Sequence, residues 1–256
     1  MKTLLDIIDL TGEPNILALL TDDKEYYGGI GKKFLSNSDI GTLLNNPKDF
    51  GKSREDNKAF MDGRYFHQLI LEPEKAKLTP FVDVSTRTTK EYKNFCETNN
   101  LPFCMLKKEM EEVEHLVDII KGNITFYDEI YRDGNQFEVP AVGMIQGMMW
   151  KGKADIVGWD FLIDLKTTSD IHKFKYSAKA YNYDSQCYIY QQLFGKPLVF
   201  YVIDKGTGVL GIFKPTEEFI RSGEAKVARA IEVFSKYFSE ASTDNIDNYY
   251  IDEFLM

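Results

Sequence analysis

Residues 161–168, Phe-Leu-Ile-Asp-Leu-Lys-Thr-Thr, read as a buried central strand that nevertheless carries two charges. On a strand, Asp164 and Lys166 leave by the same face, while Leu165 between them points into the opposite layer. Phe161, Leu162, Ile163 and Leu165 want burial, and a buried charge is costly unless something pairs with it. The fold therefore has to build a partner for Asp164 and Lys166. Asp155 lies nine positions before Asp164 in another β-favouring segment, and one tight turn folds it back to the same place. Two adjacent carboxylates repel unless a proton or cation stands between them, and hard oxygen ligands suit Mg²⁺, with Mn²⁺ as a substitute. Lys166 beside such an ion orients or deprotonates water. A surface hairpin with a salt bridge explains an isolated Asp-x-Lys equally well. The apolar flanks, the spacing to Asp155 and the helix that follows weigh against that reading here.

The rest of the chain supplies the frame. Helices dominate the first half: Ser36 or Ser38 caps one that Pro47 ends, a second runs from Asp56 to Leu71, where Glu72-Pro73 stops it, and a third runs from Lys107 to Lys121. The segment Pro80 to Lys90 reads as an exposed loop entering a helix over Lys90 to Thr98. Beyond Gly122, Asn135 to Met144, Met148 to Trp159 and Phe161 to Thr168 read as a three-strand meander. A single helix is expected over Phe174 to Phe194, closed by Gly195. Pro197 to Ile203 and Val209 to Phe213 then flank Lys205-Gly206-Thr207-Gly208 as a hairpin, and a last helix covers Thr216 to Phe238. These elements predict an α/β fold, a central mixed β-sheet flanked by helices. With 256 residues, 43% of them apolar, and no repeat or linker, a single domain is expected: a helical part over about 1–122, a sheet core over about 123–240 and an acidic tail.

A net charge of −9 excludes DNA binding by diffuse charge but leaves room for a local basic groove. Eighteen Phe and fifteen Tyr serve as core, as base-stacking surface, or both. Three Cys with no Cys-x-x-Cys pair speak for reduced thiols and against a four-Cys iron–sulfur cluster. The opening residues make a poor signal peptide, and no apolar run is long enough to span a membrane, so a cytoplasmic protein without a membrane partner is expected.

Asp164-x-Lys166 is followed by a helix carrying Gln186 and Tyr190, four apart and so on one face. With Asp155, this order resembles the PD-(D/E)xK nucleases, in the branch that holds lambda exonuclease, the RecB nuclease domain and RecE-type exodeoxyribonuclease VIII. Asp62 to Pro73 resembles that branch's Gly-x-x-x-His helix ending in Leu-Glu-Pro. Asn37-Ser38-Asp39 to Pro47 resembles its Ser-containing N-terminal helix, and Arg87-Thr88 its Arg-Thr loop. Ala154 stands where many members have Pro, a position that supplies no ligand.

The resemblance implies a restriction-endonuclease-like core and a DNA-hydrolysing enzyme. It implies that His67, Asp155, Asp164 and the Leu165 carbonyl hold the metal, with Glu138 helping. Lys166 positions water, and Gln186 and Tyr190 hold the substrate strand or brace Lys166. Ser38 falls to the substrate side, and Lys32, Lys33 or Arg54 would capture a 5′ phosphate. It further implies a 5′-to-3′ exonuclease on linear duplex DNA, a single-strand annealing protein as partner, a ring-shaped homo-oligomer, and a phage-encoded enzyme of the bacterial cytoplasm acting in recombination. The alternatives are a single-strand or structure-specific nuclease and a non-catalytic DNA-binding relative. No Gly-x-x-x-x-Gly-Lys-[Ser/Thr] segment is present, so a helicase motor is not expected within this chain.

Overall fold

The computed structural model describes residues 15–52 and 56–251. Its centre is a five-stranded sheet of order β3-β4-β5-β6-β7: β3 (Gln136–Ile145), β4 (Met148–Val157), β5 (Leu162–Thr168), β6 (Leu198–Asp204) and β7 (Leu210–Phe213). The first three strands form the expected antiparallel meander; β6 joins β5 in parallel and β7 returns antiparallel, so the sheet is mixed. A parallel neighbour cannot be reached by a hairpin and needs a crossover. Here the crossover is helical, and it delivers Gln186 and Tyr190.

Each face of the sheet is covered by helices. On one side lie α4 (Lys58–Leu71), α7 (Lys107–Gly122) and α8 (Ile124–Ile130), whose Phe66, Ile70, Leu116, Ile120 and Phe126 pack on Ile163, Leu165 and Tyr201. On the other lie α3 (Asn37–Asn45), α9 (Phe174–Ala180), α10 (Tyr183–Phe194) and α11 (Glu217–Tyr237), packed on Trp150, Leu162, Phe200 and Val202. The result is the three-layer α/β arrangement that the element order predicts. Ahead of α3 come the short helices α1 (Ile16–Leu20) and α2 (Asp23–Tyr27), and α5 (Pro73–Ala76) follows α4.

Several helix ends are close to where the sequence places them. Ser36, rather than Ser38, starts α3: the Asp39 carboxylate reaches back to accept the Ser36 N–H at 2.8 Å. Asn57 caps α4 by accepting the Phe60 N–H, and α4 ends at Leu71, ahead of Pro73. In α7, Met110, Val113, Leu116, Val117 and Ile120 are buried, as their helical spacing requires.

Two expectations are corrected. The segment Pro80 to Lys90 is not wholly loop, because β1 (Phe81–Val82) pairs in parallel with β2 (Met105–Leu106) beside α6 (Lys90–Thr98). The helix expected over Phe174 to Phe194 is two helices. Asn182, at φ 59°, takes the left-handed conformation that Asn tolerates better than most residues, and no continuous helix can pass through it. Gly195, at φ 68°, closes α10 as foreseen.

The position of α10 depends on a close crossing with α11. A Cβ on Gly223 would lie 2.0 Å from the Asp184 carbonyl oxygen, inside van der Waals contact with backbone that cannot rotate away. Gly223→Ala is expected to destabilise the fold by about 3 kcal/mol, at the upper end of ordinary overpacking costs, and to lower cleavage by displacing Gln186. Urea unfolding of this variant checks it; an unchanged midpoint would remove the crossing from the account.

Candidate active site

The site forms where the sheet opens. β4 and β5 pair only through Ile156 with Ile163 and Val157 with Leu162. Beyond these the strands splay, and the Asp155 carboxylate fills the gap by accepting the Leu165 N–H at 2.7 Å. On the other side of β4, Glu138 lies between the paired positions Phe137–Ile156 and Val139–Ala154, and so falls opposite Asp155. Its φ is 50°, in the left-handed region that a non-glycine strand residue seldom enters. That backbone costs about 1–3 kcal/mol and is retained only where the surroundings hold it.

Helix α4 brings the third group. Met61, Tyr65, Phe66 and Ile70 anchor its buried face, and the Tyr131 hydroxyl donates to the Ile70 carbonyl near its end. His67 then meets β4, with Nδ1 3.4 Å from Asp155 Oδ2. Ligand atoms of His67, Glu138 and Asp155 all lie within 4.8 Å of one another, drawn from three elements.

Asp164 faces the other way. Its Oδ1 accepts from Gln186 Nε2 at 2.6 Å, and its Oδ2 lies 2.5 Å from Lys166 Nζ. Leu165 points into the α4 and α7 layer, as period-two alternation requires. The Lys166 ammonium also stands over the Tyr183 ring at 5.1 Å. The Tyr190 hydroxyl donates to the Lys153 carbonyl at 2.9 Å, holding α10 against β4.

Protonation follows from this packing. Burial pushes the Glu138 carboxyl up, and the Asp155 charge opposite adds to it, to about 7. Burial also acts on Asp155, but His67 and Lys166 outweigh it and hold that carboxyl below its usual range. Burial favours neutral His67, yet the Asp155 carboxylate prevails and raises the imidazole. Burial raises Asp164 despite Lys166, whereas Lys166 itself is raised, because Asp164 and Asp155 overcome its desolvation. In this metal-free arrangement the charged form of Lys166 is favoured.

The structure thus gathers His67, Glu138 and Asp155 in one group and Asp164, Lys166 and Gln186 in a second, joined through Leu165. Lys32 and Lys33 stand in solvent on a 3-10 turn, outside both groups. Ser38 is hydrogen-bonded to Ser36 at 2.8 Å, and Arg54 lies outside the described residues. Arg87 is engaged by Glu109 and stacks over Phe103 at 4.4 Å. Cys96 and Cys104 approach to 3.8 Å as free thiols.

Two features escaped sequence reasoning. Lys151 and Lys153 alternate with Asp155 along β4 and are buried under α2: Lys151 Nζ donates to the Tyr26 carbonyl, and Lys153 pairs with Asp23 at 2.7 Å. The period-two row Lys-x-Lys-x-Asp was the available signal. Tyr183, beneath Lys166, is the other; it stands one turn before Gln186.

The carboxylate and imidazole atoms suit a hard or borderline divalent ion, and the Glu138 carboxyl is raised first by burial and then by the Asp155 charge. Among the described residues, no helix is long and apolar enough to cross a membrane. Comparison with known proteins bears on the fold. The family described as "PDDEXK-like domain of unknown function (DUF3799)" matches residues 35–242. The crystal structure of a "putative exonuclease" from Eubacterium rectale is similar at 17% identity with TM-score 0.61, over 92% of this chain and 96% of that one. SSO0001, also at 17% identity, covers 74% of this chain and 83% of its own with TM-score 0.29, too low to bear on the architecture. No curated protein matches the sequence.

Proposed function

Because this chain belongs to the PDDEXK-like family DUF3799, and with it to the PD-(D/E)xK nuclease superfamily, we propose that it is a divalent-metal-dependent deoxyribonuclease acting as one domain. The observation that carries the reading is the convergence of His67, Glu138 and Asp155 beside the Asp164–Lys166 pair. His67, Asp155, Asp164 and the Leu165 carbonyl would hold Mg²⁺ or Mn²⁺, with Glu138 helping. When bound, the metal polarises the scissile phosphate and acidifies the attacking water.

The chain's own residues do the rest. Lys166, as an ammonium, donates to the water or the phosphoryl oxygen and offsets negative charge that grows in the transition state. Asp164 fixes the ammonium, and Gln186 fixes Asp164. Tyr190 braces the helix that carries Gln186. Kinship to the RecE and lambda enzymes supports an exonuclease that runs 5′ to 3′ on linear duplex DNA and leaves a 3′ strand for an annealing protein. Lys32, Lys33 or Arg54 would meet the 5′ phosphate, with Ser38 on the substrate side, and a ring-shaped oligomer in a bacterial cytoplasm, phage-encoded, suits that role. These finer points rest on analogy of fold.

End-labelled linear duplex and covalently closed circles, incubated with Mg²⁺ or EDTA, test the proposal. Metal-dependent release of nucleotides from the linear form, with circles intact, is expected, and the labelled end released first gives the polarity. Cleaved circles would sink the exonuclease reading. Absence of any metal-dependent cleavage would sink the nuclease itself.

A further inference from the structure

Apart from Tyr183, the segment between the active strand and α10 has no part in the site described so far. Residues 171–183 hold Lys173, Lys175 and Lys179 and no Asp or Glu, in a chain of net charge −9. Phe174 and Ala178 bury one face of α9, so helical geometry turns Lys175, Tyr176 and Lys179 outward together. Tyr176 is 69% exposed and Tyr181, just past the helix end, 67%. A single exposed ring needs no explanation. Two rings among lysines, leading toward a reactive centre, do.

From Tyr181 the path inward is continuous. The Tyr181 ring lies 5.9 Å from the Tyr183 ring, and the Tyr183 ring lies 5.1 Å from Lys166 Nζ. The left-handed Asn182 makes this contact possible, because residues two apart on an unbroken helix point to opposite sides. Lys175 Nζ stands 4.9 Å from the Tyr176 ring, and Lys214 shares with Lys175 the rim of an apolar hollow floored by Phe174 and Phe213. Lys173 is set aside, since it pairs with Asp170 at 3.0 Å.

We infer that α9 and Tyr181 form a platform for an unpaired stretch of DNA beside the cleavage centre, with bases stacked on Tyr176 and Tyr181 and phosphates held by Lys175 and Lys179. The inference rests on the nuclease reading for its link to Lys166, and on the patch itself for binding. Stacking needs an open base face, which a duplex hides and a single strand offers, and it tolerates any sequence because every base has one. The lysines add the local positive charge that the chain as a whole lacks.

Fluorescence anisotropy of the full chain with labelled oligo(dT) in EDTA tests the platform without any cleavage. Replacing both Tyr176 and Tyr181 by Leu is expected to raise Kd for oligo(dT) about tenfold or more, as lost base stacks do, and to change binding of a blunt duplex less than about twofold. Replacing both by Phe should leave oligo(dT) affinity intact, because the ring and not the hydroxyl does the work. Lys175→Gln with Lys179→Gln should flatten the salt dependence of log Kd by about 1.4, or ~0.7 per phosphate contact on a single strand. Unchanged affinity in the Leu pair, equal losses in the Phe and Leu pairs, or no binding of oligo(dT) by the wild type overturns the platform. Failure of the nuclease reading looks different: wild type that binds oligo(dT) through its tyrosines yet cleaves nothing with Mg²⁺.

Discussion

Lys166→Met is expected to lower DNA cleavage by a factor of about 10²–10³, the usual loss when one preorganised donor to a developing oxyanion is removed. Two effects combine. The first is chemical: Asp164 and Asp155 favour the charged form of Lys166, so methionine removes the positive donor beside the reacting centre. The second falls on Asp164, whose side chain is 3% exposed and which loses its cation at 2.5 Å. Stripping one partner from a buried pair ordinarily costs about 3–5 kcal/mol. Asp164 escapes part of this by taking a proton, toward which burial already pushes it, and by keeping its bond to Gln186. Lys166→Arg separates the two effects. It should recover most of the stability but little of the rate, since a planar fork does not place its charge where the ammonium stood. Steady-state cleavage rates and urea midpoints of both variants check this; full activity in Lys166→Met would overturn the role given to the lysine.

The second large effect is the response of stability to metal and pH, centred on Glu138. In the metal-free protein its carboxyl is raised to about 7. A raised folded pKa means that its contribution is fully present below the range where an unfolded Glu ionises, and is lost as pH climbs through 7. His67, raised by Asp155, has the same sign: its contribution is present below the ordinary histidine range and fades above it. The metal-free protein should therefore lose stability at this site between pH 6 and pH 8. Bound Mn²⁺ inverts the trend, because its ligands bind deprotonated. The Tm gain from saturating Mn²⁺ is thus expected to be larger at pH 8 than at pH 6. Glu138→Asn removes both the charge and much of the left-handed strain, since Asn accepts that conformation more readily. Without metal it should melt about 2–4 °C above wild type, the shift that ~1 kcal/mol gives in a chain of this size. Its cleavage should fall steeply and its Mn²⁺ response lose most of its pH dependence. A Mn²⁺ shift equal at the two pH values in the wild type would remove Glu138 from the metal group.

Much of this was legible from the residues because the signals were local. The period-two run around Asp164 and Lys166 placed the strand and its two faces, and the Lys-Gly-Thr-Gly turn placed the last hairpin. The apolar spacing of Met110 to Ile120 fixed α7. What was not legible depends on contacts distant in sequence or on single backbone angles. That His67 reaches Asp155 came from resemblance alone, because nothing in α4 by itself indicates which of its side chains meets β4. The break at Asn182 rests on one dihedral angle inside a segment with helical composition. The burial of Lys151 and Lys153 depends on α2, more than a hundred residues away, laying Asp23 and Tyr26 across them. That Asp164, a proposed metal ligand, is held by Gln186 as well as by Lys166 depends likewise on a helix distant in sequence.

The parallel pairing of β5 with β6 also governs when the centre can exist. The groups around Leu165 come from α4, β3, β4, β5 and α10, and α10 reaches its place only through the crossover that β6 closes. Such non-local pairings form late, since the entropy of closing long loops must be met before any contact rewards it. As a chain emerges from the ribosome, its first 160 residues can lay down α4, α7 and the β3–β4 hairpin and still lack Asp164, Lys166 and Gln186. Nascent, stalled or truncated copies that stop short of β6 are therefore expected to lack cleavage activity.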